Sequence, residues 1–92
     1  GVSLALRELA EAVRALTFLL EQPDRDVDVV EPAVRAAAHA TIVLEETANL
    51  SVSVIVGQIR STATDLLRST GMDIAEAHRI VRAAAEEEQA RR

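Results

Sequence analysis

The chain has 92 residues, which is enough for one small domain. Hydrophobic residues make up 49% of it, so it can form a core and does not have the composition of a disordered segment. All ten basic residues are arginine and there is no Cys, Tyr, Trp or Lys, which excludes thiolate, tyrosyl and Schiff-base chemistry. The net charge of −5 opposes binding to nucleic-acid phosphates.

The first predicted helix covers residues 3–22. Ser3 is its predicted N-cap, and the proline that follows Gln22 is predicted to end it. Arg7 and Glu11 have the spacing of an i,i+4 ion pair. The apolar side chains recur every three or four residues and therefore share one face of the helix, namely Val2, Leu6, Leu9, Val13, Leu16 and Leu20.

The second predicted helix covers residues 29–47 and follows an acidic loop. Asp28 and Glu31 match a capping box, whereas Pro32 fits best as the first helical residue, and both starts stay open. Glu31 and Arg35 have the spacing of an ion pair. Alanines fill the middle of this helix, so we expect a neighbouring helix to approach it closely.

The third predicted helix covers residues 50–70, with Asn49 or Ser51 as its cap. Residues 51–56 alternate like a strand, but the apolar spacing beyond them favours a helix. Gly57 costs a helix about 1 kcal/mol relative to alanine, which predicts a close helix–helix crossing at that position. We expect this helix to be the most buried. Continuity with the second helix stays open.

The fourth predicted helix covers residues 74–89. Gly71 is the predicted residue just beyond the third helix, and Asp73 with Glu76 forms a second capping box. The glutamates at 86–88 lie at the negative end of the helix dipole, so this end is expected to fray unless the basic residues after it compensate.

These four helices with short connections predict an all-α fold, an antiparallel four-helix bundle that forms one domain over residues 1–92. The longest uncharged run, residues 47–59, is shorter than the roughly 20 residues that span a bilayer. We therefore expect a chain that does not itself cross a membrane.

Residues that support catalysis are sparse in this sequence. His39 and His78 lack the neighbouring acids or lysine of a phosphorelay site, and both are predicted to be solvated. The acidic residues map mostly to outer helix faces, without the Glu-x-x-His spacing of di-metal bundles. The sequence therefore predicts no enzyme, no cofactor and no metal site.

One polar cluster on the third helix is the candidate site for an interface or a hydrogen-bond network. The simple interpretation is a solvent-facing stripe with an Asp65–Arg68 ion pair. If the helix is central, however, part of this face is buried and its charges need partners. Such a network fixes helix register and does no chemistry. Its members are Gln58, Arg60, Ser61, Asp65 and Arg68.

Three motifs in the stretch 45–73 carry a family resemblance: NLSVSV at 49–54, GQIRS at 57–61 and TDLLR at 64–68. This stretch, about a third of the chain, resembles a region of actinobacterial membrane proteins of the fusaric-acid-resistance (FUSC) type, the aromatic acid exporters. In that family a transmembrane bundle carries transport, and soluble helical segments lie on the cytoplasmic side.

The resemblance implies an excised cytoplasmic portion of a longer membrane protein, with Gly1 as a cloning scar. It implies a non-catalytic role in assembly or regulation, with the parent membrane domain or a second copy as partner. No transport residue carries over, because the chain contains no predicted span. The alternative is a free-standing intracellular module that dimerises through the small-residue faces of the second and third helices. A third class, small-molecule binding between the helices, also stays open.

Overall fold

A computed structural model describes residues 1–48 and 53–91 of the chain. The helices found there are α1 (Val2–Glu21), α2 (Val27–Ala48), α3 (Ser53–Ser69) and α4 (Ile74–Ala90), without a strand in either described range. The predicted all-α class and the helical bundle are confirmed. The predicted third-helix caps, Asn49 and Ser51, lie outside the described residues.

The helices lie side by side. The molecule measures 37 × 24 × 21 Å, so its long dimension is close to the roughly 30 Å length of a single 20-residue helix. Residues 22–26 join α1 to α2, and residues 70–73 join α3 to α4. The two helices of each pair pack against each other in antiparallel orientation. Among the described residues α2 and α3 each pack against all three other helices, whereas α1 and α4 do not meet.

The two inner helices of the bundle are therefore α2 and α3. Val30 and Val34 of α2 are almost completely enclosed. Ala37 and Ala40 on the same helix are also buried, and their small side chains let neighbouring helices approach from several sides. α3 contributes the two enclosed leucines Leu66 and Leu67 to the core but does not hold the bundle together alone.

The start of α2 differs from both sequence-based alternatives. Asp26 is the capping residue: its carbonyl accepts from Val29 and Val30, and its side chain accepts from the Asp28 backbone N–H at 3.0 Å. The Asp28 capping box is thus wrong, and Pro32 lies one turn inside the helix rather than at its first position. Proline at that position removes one backbone hydrogen bond and crowds the carbonyl four residues before it, so it weakens the first turns of α2.

The ends of α1 are partly as predicted. Gly1, not Ser3, occupies the N-cap, without a side-chain capping bond. The helix ends at Glu21, and Gln22 is extended, as expected for the residue before Pro23. Arg25 then folds back, and its guanidinium donates to the last carbonyls of α1, with Nε 2.6 Å from the Leu19 oxygen.

The turn between α3 and α4 contains the predicted glycine and the predicted aspartate cap. Gly71 has a φ of +97°, a left-handed conformation that glycine adopts without strain. The Asp73 side chain accepts a hydrogen bond from the Glu76 backbone N–H at 2.9 Å. Glu76 does not complete a reciprocal capping box, because its carboxylate pairs with Arg79 instead. That pairing lowers the pKa of Glu76 below its ordinary value.

Candidate functional site

An open groove of about 500 Å³ lies between α3 and α4, and we call it the α3–α4 groove. Four of the five polar residues predicted on the third helix line it, namely Arg60, Ser61, Asp65 and Arg68. Gln58, the fifth, does not join them and lines a separate groove between α1 and α3. The predicted cluster is therefore divided between two surfaces.

The opposite wall of the α3–α4 groove comes from α4. Ile74, His78 and Arg82 follow one another at four-residue intervals and face the groove together with Val81. Sequence analysis did not connect His78 or Arg82 with the polar cluster of α3. The four-residue spacing of each row is visible in the sequence. Only the packing of α4 on α3, however, brings the two rows to the same groove.

The groove carries an excess of positive charge. The side chains of Arg60, Arg68 and Arg82 form no hydrogen bond or ion pair with any described residue, nor do Asp65 and His78. The predicted Asp65–Arg68 pair is thus not formed. Several other arginines do have partners, and they are Arg25, Arg35, Arg79 and Arg91.

Gly57 lines one end of this groove and does not mark a helix crossing. A Cβ atom built on it meets nothing within 4 Å, and the residue is exposed. The expectation of a close helix–helix contact at Gly57 is therefore wrong. Its missing side chain leaves the groove open between the rows that carry Arg60 and Arg82.

An ionic network joins α2 to the end of α4. Arg35 pairs with Glu87 across the interface and with Glu31 on its own helix, as predicted for the second pair. The carboxylates hold the pKa of the Arg35 guanidinium above its ordinary value, with the Glu87 hydrogen bond as the largest cause. The i,i+4 pair predicted between Arg7 and Glu11 is absent from the described residues.

His39 makes a further polar contact between α2 and α4, which the sequence did not predict. Its Nδ1 lies 2.8 Å from Glu88 Oε2, and the other oxygen of Glu88 accepts from Arg91 at 2.8 Å. Glu88 is buried, whereas the His39 side chain is 47% exposed. The glutamate-rich end of α4 is thus anchored to α2 and to the following arginine, and the helix extends to Ala90.

An apolar surface runs along α1 where it borders α3, and we call it the apolar seam. Its five members are each between 38% and 51% exposed, and they are Val2, Leu6, Val13, Leu20 and Ile55. The α1–α3 groove beside it has a volume of about 360 Å³ and is lined by Leu16 and Ile59 in addition to seam residues. α1 is covered by α2 and α3 and makes no contact with α4 among the described residues.

The described residues hold no group of three or more His, Cys, Asp or Glu side chains arranged to bind a metal ion. Across the same residues, no helix combines the length and the hydropathy that crossing a membrane requires. Searches against family models, curated proteins and solved structures found no match to this chain.

Proposed function

We propose that this chain is a non-catalytic helical interaction domain that pairs with a second copy of itself through the apolar seam. The observation that carries the proposal is the row Leu6, Val13 and Leu20, which repeats every seven residues along α1 and is left half-exposed by the fold. An apolar row of this period is the pattern by which helices associate side by side.

Burial of the seam favours such pairing and works against an association cost of about 4–15 kcal/mol. Fully burying a leucine or valine side chain contributes about 1.5–3 kcal/mol, so covering the exposed half of five such residues contributes several kcal/mol. In a twofold dimer each copy presents the same surface, and one row along α1 then supplies both sides of the contact.

The resemblance to FUSC-type proteins supports a wider setting for this pairing. In that setting the chain is a soluble, cytoplasmic helical part of an exporter-like membrane protein, and the seam holds copies together or attaches the part to its membrane domain. The parent reading frame tests this setting. Hydrophobic spans beside the present stretch support it, whereas a frame that ends near both termini contradicts it and leaves the pairing itself untouched.

The pairing is tested with two matched variants on the first turns of α1. Leu6→Glu places a charge in the seam, whereas Leu4→Glu places the same charge at a residue that is exposed to a similar degree. Two positions along a helix differ by about 200° in direction, so Leu4 faces away from the seam. Sedimentation equilibrium over a range of concentrations measures association, and circular dichroism verifies that both variants fold.

The expected result is a concentration-dependent dimer for the wild type and for Leu4→Glu, and a monomer for Leu6→Glu. A wild type that is monomeric at high concentration contradicts the proposal. Loss of the dimer in both variants to the same extent also contradicts it, because the effect then follows charge and not the seam.

A further inference from the structure

A second site, distinct from the apolar seam, is indicated by the α3–α4 groove. Two rows of side chains face each other across it. α3 contributes Arg60, Thr64 and Arg68 at four-residue intervals, and α4 contributes His78 and Arg82. Because residues four apart share one face of a helix, both rows project toward the same open space.

The charge of this space is unusual for the molecule. The whole chain carries −5, yet the groove holds three arginines against the single carboxylate Asp65. None of the three is neutralised by a described residue. A concave site lined by one sign of charge concentrates ions of the opposite sign. The groove is therefore expected to concentrate anions although the protein as a whole is acidic.

The side chains also indicate which anions fit. Guanidinium groups bind carboxylate and phosphate oxygens through paired N–H donors. Ser61 adds a hydroxyl, whereas the Thr64 hydroxyl already donates to the Arg60 carbonyl at 2.8 Å. The half-exposed Ile74 adds apolar surface for the hydrocarbon portion of a ligand.

The spacing of the arginines favours more than one anionic group. Eight residues separate Arg60 from Arg68, which is about 12 Å along the helix axis. A single carboxylate contacts both only if the two side chains bend toward each other, whereas a ligand with two or three charged groups reaches them without that ordering. We propose that the α3–α4 groove binds a small organic polyanion, a di- or tricarboxylate or a phosphorylated compound.

The test compares two doubly substituted chains of equal net charge. Arg60→Gln/Arg82→Gln removes two positive charges from the groove, and Arg7→Gln/Arg14→Gln removes two from the exposed face of α1, so both go from −5 to −7. All four arginine side chains are exposed and without partners among the described residues, so both variants are expected to fold. Circular dichroism verifies this.

Isothermal titration calorimetry at low ionic strength then uses citrate and pyrophosphate in separate titrations of the full chain. The expected result is that the wild type binds at least one of them. The groove variant then weakens binding by about tenfold or more, the size of losing a charge-assisted hydrogen bond, and the α1 variant weakens it by less than about threefold. Binding of citrate alone assigns the ligand to carboxylates, and binding of pyrophosphate alone assigns it to phosphates.

NMR shift mapping locates the site. Amide shifts on titration are expected to cluster in residues 57–68 and 74–82. The proposal is overturned if neither anion binds the wild type, if both doubly substituted chains lose affinity equally, or if the shifts fall outside the groove. Binding of an acidic peptide or an oligonucleotide without binding of either small anion also overturns it.

Discussion

His39 shows how a single residue changes meaning when its tertiary neighbour is known. From the sequence it is a solvated histidine whose replacement by alanine is expected to cost less than about 0.5 kcal/mol. In the structure its ring N–H donates to Glu88, a buried carboxylate on another helix. Removing one partner of a buried polar group leaves the other incompletely satisfied.

We therefore expect His39→Ala to lower the free energy of unfolding by about 0.5–1.5 kcal/mol. This is less than the contribution of a buried hydrogen bond to a charged group, because solvent screens the partly exposed ring. Urea denaturation measures it. His78→Ala is the matched control, because His78 is exposed and without a partner among the described residues, and its expected change is below about 0.5 kcal/mol. Equal losses in the two variants contradict the role of Glu88.

At the turn between α3 and α4, two residues that act on their own backbone were placed correctly from the sequence. Gly71 and Asp73 determine the α3–α4 turn through local geometry, and both occur as predicted. The cap of α2 was missed because three aspartates lie close together in that loop, and local chemistry permits more than one to cap. In the folded chain Asp26 is the aspartate that caps α2, and the neighbouring Arg25 hydrogen-bonds to the end of α1.

At the level of elements, the helices follow from apolar spacing, but their neighbours do not. A period near 3.6 residues identifies a buried face without specifying the helix that covers it. α2 and α3 each contact three neighbours, whereas α1 contacts two and keeps part of its apolar stripe exposed. The single apolar face predicted on α1 is thus divided between the buried Leu9 and Leu16 and the half-exposed seam residues.

Gly57 lies inside α3, where a glycine is unfavourable for helix stability. The glycine lowers helix stability, and a side chain at this position meets no neighbour. We expect Gly57→Ala to raise the free energy of unfolding by about 0.5–1 kcal/mol, measured by thermal or urea denaturation.

Gly71→Ala is the opposite control for that prediction. Gly71 also has open space around it, but its φ of +97° is one that alanine adopts only with strain. A loss of about 1 kcal/mol is expected there. A loss at Gly57 of similar size contradicts the present account of the α3–α4 groove, since it shows that the glycine serves packing.

For the whole molecule, the candidate site was predictable only in part. Helical periodicity placed Ser61, Asp65 and Arg68 on one face of α3 with Arg60 beside it, and the structure keeps these four in one groove. The contribution of α4 depends on how two helices pack, which no local spacing encodes. Gln58 was assigned to the same face because it is one turn from Ser61. In the structure it lies instead in the groove between α1 and α3.

A concentration of positive charge without partners also affects the stability of the whole chain. Arg60, Arg68 and Arg82 bring three like charges into one groove, and the repulsion between them is screened by salt. We expect Arg82→Gln to raise the free energy of unfolding at low ionic strength by up to about 0.5 kcal/mol, and to have no measurable effect at 1 M NaCl, where the Debye length is about 3 Å.

Arg79→Gln is the matched control on the same helix. Arg79 lies three residues before Arg82 but pairs with Glu76, so its loss is expected to destabilise the chain at low salt. Urea denaturation of both variants at two salt concentrations gives the comparison. If Arg82→Gln destabilises the chain as Arg79→Gln does, Arg82 has a stabilising partner. The groove is then part of the folded scaffold and not an open site for anions.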